Sequence, residues 1–300
     1  NREQPWHPRH WDDSLTRRAW PERGSVSFRG VTARYRDGLP LVLHGVSFDV
    51  CAGWKVGIVG RTGSGKSSLG LTLFRMLELE GGSIHIDDLD IAGVNVHQLR
   101  SRLSVIPQDP FMMIGSIRYN LSPFGQHSDD AVWTALERSG LREYVEGLPG
   151  QLDFGISEGG GNISQGQRQL FCLARALLRR SQVVLLDEAT SSVDKVTDDI
   201  IQRSVREHLA GSTLLIVAHR LDTIAGADRI LCLEGGRVAA YAHPAQLLGV
   251  VPGGDGDDEG GNLFRGLVHQ MGSEGQAAIE AAAAAAWSAA ARDVTETISV

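Results

Sequence analysis

At 300 residues, the chain has room for one large α/β domain with appendages or for two small domains. Hydrophobic residues make up 42% and charged residues 22%, which excludes wholesale disorder and supplies a normal globular core. The net charge of −7, from 29 basic and 36 acidic side chains, argues against a general binder of nucleic-acid backbones.

No apolar run approaches the roughly 20 residues that a membrane helix requires, and no signal peptide is evident. The chain opens on Asn1 rather than Met, so it is expected to be a piece of something longer, with any membrane part outside it. Cys51, Cys172 and Cys232 each sit in an apolar run without metal-ligand spacing, which predicts three buried structural thiols in a reducing compartment.

Residues 1–23 are rich in Pro, Trp and Arg and lack periodicity, the pattern of an extended linker. Strand-like runs follow at Ser25–Arg34, Leu41–Val50 and Lys55–Val59. Gly60–Gly65 interrupts the pattern, and Lys66–Leu77 continues as an apolar helix. Ser83–Ile91 reads as a short hairpin ladder placed after Gly81 and Gly82. From Gln108 to about Arg180 helical segments dominate: Ile117–Asn120, Asp129–Ser139, Leu141–Gly147 and Gly166–Arg179. Val183–Leu186 and Leu214–Ala218 are continuous apolar runs, as central parallel strands buried on both faces require, with the helix Lys195–Leu209 between them. Ile230–Leu233 and Arg237–Tyr241 flank a Glu234-Gly235-Gly236 turn.

After residue 249 the character changes. Val250–Asn262 is loaded with Gly and Asp and predicts a solvated loop. Ala277–Ala291 has helix propensity but almost no patterned face, which predicts a marginal helix or disorder. The division is therefore a linker over 1–23, a core over 24–248 with a helical insertion over about 108–180, and a low-complexity tail over 249–300.

Gly60-Arg61-Thr62-Gly63-Ser64-Gly65-Lys66-Ser67 matches the phosphate-binding P-loop pattern in full. Its glycines let the backbone approach phosphates, and successive N–H groups form an anion nest at a helix start. Lys66 is placed to reach the β- and γ-phosphates of a bound nucleotide, which the motif alone does not specify further, and the Ser67 hydroxyl to ligate Mg²⁺. Ser68 extends the contact. A glycine turn with an incidental Lys-Ser is the bland alternative, and the apolar strand before and apolar helix after weigh against it.

Val183–Leu186 ends in Asp187 and Glu188. Asp187 is placed to hold Mg²⁺ and Glu188 to polarise an attacking water. A solvated acidic turn is the alternative, weakened by the P-loop upstream. His219 follows the next buried strand and is expected to face the same crevice, where it can hydrogen-bond the γ-phosphate or the attacking water; a helix-capping or core histidine is the bland alternative.

In this order these motifs resemble the ATP-binding cassette (ABC) family over nearly all of 24–248. The resemblance implies a P-loop NTPase parallel-sheet core with an antiparallel β subdomain and a helical subdomain bearing the ABC signature. Tyr35 falls where the family stacks an aromatic ring on adenine, and Gln108, after Val105-Ile106-Pro107, matches the glutamine that touches Mg²⁺ and the attacking water. Ile163-Ser164-Gln165-Gly166-Gln167 matches the signature motif, and Ser191-Ser192-Val193-Asp194 the D-loop. The resemblance implies that Ser164, Gly166, Gln167 and Asp194 meet the ATP of an opposing cassette in a head-to-tail pair, with transmembrane domains as further partners and no nucleic acid.

One position departs: Gln165 stands where the usual signature has a glycine. An altered signature beside an intact P-loop and Glu188 resembles the second cassette of the C subfamily, the multidrug-resistance-protein group. Trp20-Pro21-Glu22-Arg23-Gly24, Tyr35-Arg36 and Leu39-Pro40-Leu41-Val42-Leu43 carry the same likeness. It implies an ATPase driving export at the cytoplasmic face of a membrane, with two unequal nucleotide sites. The rival readings are a regulatory ATP/ADP-sensing cassette of a channel and a soluble ABC ATPase of DNA repair or translation.

Overall fold

The computed structural model describes residues 20–187, 193–218, 220–251 and 259–298. The amino-terminal part is a four-stranded antiparallel sheet in the order β2-β1-β4-β5, from β1 (Val26–Ala33), β2 (Leu43–Val50), β4 (Leu79–Ile86) and β5 (Leu89–Asp90). One face is apolar because alternate residues point to one side. Val26, Phe28, Val46, Phe48, Ile84 and Ile86 are buried, and Phe28 stacks on Phe48 with ring centroids 4.6 Å apart.

The second sheet has six strands in the order β12-β11-β3-β10-β9-β6. Its members are β3 (Lys55–Val59), β6 (Leu103–Ile106), β9 (Val183–Asp187), β10 (Thr213–Val217), β11 (Arg229–Glu234) and β12 (Arg237–Ala242). All neighbours run parallel except β12, which returns antiparallel to β11. The continuous apolar run of β9 now has its reason. Val183 and Leu185 join the core shared with the antiparallel sheet, while Val184 and Leu186 join the core of the helical region. A strand facing two cores has no polar side, and each such buried side chain contributes about 1.5–3 kcal/mol.

Helix α1 (Lys66–Leu73) follows β3. It is shorter than the expected Lys66–Leu77, because the chain turns at Phe74 and reaches a left-handed Arg75 at φ 49°. After α2 (Val96–Arg102) and β6, the helical region carries α3 (Ile117–Leu121), α4 (Asp129–Arg138), α5 (Arg142–Glu146) and the long α6 (Gln165–Arg179). A two-stranded ribbon, β7 (Gly115–Ser116) with β8 (Gly155–Ile156), closes it. Helix α7 (Lys195–His208) links β9 to β10.

Four expectations are corrected. The hairpin placed after Gly81 and Gly82 begins earlier, since β4 starts at Leu79 and absorbs both glycines at a register irregularity opposite Arg29–Thr32. The β4–β5 turn is made instead by Asp87 and Asp88, with φ of 47° and 64°. Asp can adopt this left-handed geometry, which suits a two-residue hairpin. Cys172 and Cys232 are buried as expected, but Cys51 is exposed, in the turn after β2.

Of the expected linker, residues 1–19 lie outside the described residues, and its last residues are docked on the antiparallel sheet. Trp20 is buried and donates from Nε1 to the Ile86 carbonyl at 3.0 Å. The Asp87 carboxylate accepts from the backbone N–H groups of Arg23, Gly24 and Ser25 at 2.8–2.9 Å.

The tail differs most. After α8 (Pro244–Leu247) it forms α9 (Glu259–His269) and α10 (Gly272–Ile298), so the expected loop over Val250–Asn262 gives way to helix from Glu259. Phe264, Val268, Ile279 and Ala283 are buried in a third core with Ile230, Cys232 and Leu247. The Trp287 ring meets His243 edge-on at 5.0 Å. Ile279, Ala283 and Trp287 recur every four residues, so the alanine run does have a face, one that small side chains disguise.

Candidate nucleotide site

The carboxyl ends of four adjacent parallel strands meet at one edge of the second sheet, where ligands of open α/β sheets bind. β3 delivers Gly60, β10 leads to Ala218, β9 ends at Asp187 and β6 leads to Pro107 and Gln108. The register fixes the neighbours. Val217 pairs with both Ile58 and Asp187, and Ile106 pairs with Leu186. Asp187 and the loop after β3 are therefore separated by one strand.

The loop from Gly60 to Lys66 is tightly held. A Cβ at Gly60 would collide with the Leu233 carbonyl oxygen and Ser64 Oγ, and Gly65 precedes α1 at φ 104°. No other residue meets both demands. Ser64 contributes its carbonyl to Gly236 N–H at 3.1 Å, which ties the loop to the β11–β12 turn. Lys66 Nζ curls back over the loop and donates to the carbonyls of Gly60 at 2.8 Å and Arg61 at 3.2 Å. The ammonium is thereby held above a concave backbone, as a phosphate cradle requires. Ser64 Oγ is buried and has no hydrogen-bond partner among the described residues.

Tyr35 is half exposed, and its hydroxyl shares a 2.9 Å hydrogen bond with Ser68 Oγ on the first turn of α1. An open aromatic face thus stands beside the helix start. Gln108 is exposed on the segment after β6. Gln169, buried on α6, donates from Nε2 to the Pro107 carbonyl at 2.9 Å and so fixes the root of that segment. The sequence reading missed Gln169, whose only signal is a polar residue inside an apolar helical stripe.

Ser164 caps α6. Its Oγ accepts from Gln167 N–H at 3.2 Å, while Gln167 Oε1 accepts from Ser164 N–H at 2.8 Å, a reciprocal capping box. Gln165 is exposed on the first turn. Gly166 lies against α7, where an added Cβ would come within 2.9 Å of Thr197 Oγ1. Asp194 caps α7 and accepts from Thr197 N–H at 3.0 Å and Thr197 Oγ1 at 2.8 Å, bonds that hold its carboxyl below the usual range. The two helix starts that carry Gly166 and Asp194 are therefore neighbours. Glu188, Ser191, Ser192 and His219 lie outside the described residues.

The site suits a nucleoside triphosphate. The backbone nest, the ammonium and the orphaned Ser64 hydroxyl are anion-binding groups. Ser67 and Asp187 offer the hard oxygen ligands that Mg²⁺ prefers. Among the described residues no group of three or more His, Cys, Asp or Glu side chains stands ready for a metal.

Residues 43–191 match the family described as ABC transporter. Over 229 residues the chain is 52% identical to multidrug resistance protein mrp-7 of Caenorhabditis elegans, covering 76% of this chain and 15% of that one. Over 246 residues it is 50% identical to ATP-binding cassette sub-family C member 3 of Homo sapiens, covering 82% of this chain and 16% of that one. The chain thus spans about a sixth of the length of these relatives. Among solved structures it superposes on a bacterial Atm1-family ABC exporter with ATP bound, at TM-score 0.75 and 33% identity over 84% of this chain and 43% of that one.

Proposed function

Since the chain belongs to the ABC transporter family and is an ATP-binding cassette of the C-subfamily type, we propose that it hydrolyses Mg-ATP to power export through membrane domains outside this sequence. The observation that carries this reading is the phosphate cradle at the sheet edge, with Lys66 held over it and Asp187 one strand away.

Lys66 and the loop N–H groups bind and orient the β- and γ-phosphates, and Tyr35 stacks on the base. Ser67, Asp187 and Gln108 are the residues that would hold Mg²⁺, which supplies charge neutralisation on the phosphates. Glu188 orients the attacking water and withdraws its proton, and His219 contacts the γ-phosphate. The remaining donors come from a second cassette, packed head to tail. This chain's Ser164, Gly166, Gln167 and Asp194 in turn serve the nucleotide of that partner. Gln165 adds side-chain bulk where phosphate must approach backbone, so the site completed by this signature is the weaker hydrolytic site.

Contact with membrane domains is supported by one stretch of chain. Phe111, Ile114, Tyr119 and Phe124 are all exposed within the segment that follows Gln108. Large apolar side chains left exposed in one segment suit a protein interface. No helix among the described residues is long and apolar enough to cross a membrane. The cassette would sit on the cytoplasmic face.

The test is ATP turnover by the purified cassette, alone and mixed with a cassette bearing an unaltered signature. Mg-dependent hydrolysis should rise on mixing and vanish in Glu188→Gln. Tight ATP binding without turnover in either condition, and in the full-length protein, would replace the motor with a nucleotide sensor.

A further inference from the structure

The signature segment and His219 lie more than 50 residues apart in sequence, yet the first turn of α7 touches both Gly166 and Arg220, the residue after His219. Thr197 packs against Gly166 at the start of α6. Its neighbour Asp198 is only 4% exposed. The Asp198 carboxylate receives Arg220 Nη1 at 3.0 Å through Oδ2 and Gln202 Nε2 at 3.4 Å through Oδ1.

Arg220 directly follows His219 in the chain and is gripped from two sides. Its Nη2 and Nε reach Asp222 at 2.7 and 3.3 Å, and its carbonyl accepts from Thr223 Oγ1 at 2.7 Å. The Arg220 side chain thus reaches α7 through one charged contact, Nη1 to Asp198, while its bidentate fork closes on Asp222 in its own loop. Stability alone is a poor reason for such a pair, because burying the carboxylate costs desolvation while solvent at the partly exposed Arg220 head screens the attraction. Positional specificity is what the arrangement supplies.

We propose that the Asp198–Arg220 ion pair is a positioning device that ties Arg220, the residue after His219 in the chain, to the first turn of α7. The setting of His219 in this chain's own nucleotide site then follows the state of the signature segment on the same chain. The proposal rests on the ATPase reading above. Occupation of Ser164 and Gly166 by the partner's nucleotide bears on Thr197, α7 carries the shift to Asp198, and Arg220 transmits it to the residue beside it. The pair would let one composite site report its occupancy to the other without passing through the partner cassette.

The experiment uses the full-length protein and measures steady-state ATP turnover for wild type, Asp198→Asn, Arg220→Gln, the double variant and Arg220→Lys. Each neutralising single variant should lose kcat by about tenfold or more, the scale that misplacement of a catalytic group produces, with KM for ATP unchanged. The double variant should be no worse than the singles, because one interaction is being removed twice. Arg220→Lys should recover part of the turnover lost in Arg220→Gln. Wild-type kcat in either single variant, or losses that multiply in the double, would overturn the proposal. So would lower melting temperatures with unchanged turnover per folded molecule, since that is what a merely structural pair would give. A wild-type protein without Mg-dependent turnover would overturn the ATPase reading, and this proposal with it.

Discussion

Arg175 gives a prediction that can be worked from individual bonds. It lies on α6 and is largely buried, and no carboxylate pairs with it among the contacts described. Burial pulls the guanidinium pKa below its ordinary value. Its donors go to the Asn120 carbonyl at 2.8 Å, Asn120 Oδ1 at 2.9 Å and the Phe111 carbonyl at 2.6 Å. In Arg175→Met the Asn120 and Phe111 carbonyls lose this donor, at about 1–3 kcal/mol for each one left buried, while Asn120 Oδ1 keeps the Met113 N–H at 2.9 Å. Relief from burying a cation offsets several kcal/mol of that. The net loss is about 1–4 kcal/mol, or roughly 3–12 °C in melting temperature for a cassette of this size.

Arg175→Lys is the sharper variant. It keeps the cost of the buried charge but lacks the planar fork that reaches three acceptors at once. It should therefore melt no higher than Arg175→Met. Both substitutions also loosen the Phe111 carbonyl from α6 and leave Asn120 held only by Met113 and Ser116, within the exposed apolar stretch proposed to meet the membrane domains. ATP turnover should persist while transport per ATP falls. A Lys variant clearly more stable than Met, or a wild-type melting temperature in both, would refute the reasoning.

Other expectations follow from the same structure. Burial raises the Asp87 carboxyl, but the N–H groups of Arg23, Gly24 and Ser25 outweigh it and leave the pKa below the ordinary value. The stability Asp87 confers is therefore present above the usual carboxylate pKa of about 4 and lost as pH falls through its own lower value. Asp87→Asn should cost about 1–3 kcal/mol at neutral pH, and the gap from wild type, followed by thermal melts, should close on acidification. Phe264→Ala removes a fully buried ring from the third core and should cost about 3–5 kcal/mol in a denaturant titration; a loss below about 1 kcal/mol would mean that α9 is not integral to the cassette. Gly57→Ala places a Cβ within 2.8 Å of both Ile224 and Ile230 and should destabilise by about 1–3 kcal/mol without altering nucleotide affinity at the intact loop.

What the sequence made legible was local or strictly periodic. The P-loop is a contiguous motif whose glycines answer to backbone demands, so its identity and its place between β3 and α1 could be read directly. β9 and β10 were legible because a strand between two cores must be apolar throughout. Contacts made across long separations were not. Trp20 beneath Ile86, Asp87 reaching back to Gly24, and Asp198 holding Arg220 look like ordinary tryptophan, turn and surface residues until the fold brings the segments together. The tail was misread because Ile279 and Trp287 stand in a background of alanine, where burial depends on backbone proximity rather than on bulk. Cys51 was misread because its apolar neighbours belong to β2, which ends one residue earlier.

The fastening of residues 20–25 has a mechanical consequence. A pull transmitted along the chain from before Trp20 meets the indole bond to Ile86 and the N–H groups of Arg23, Gly24 and Ser25 gathered on the single Asp87 carboxylate. Both anchors sit at the end of β4, in the antiparallel sheet. Load arriving there is shared among several bonds and enters the antiparallel sheet at β4, which follows the phosphate cradle in the chain. The cradle is thus shielded from tension in the strap that leads to it.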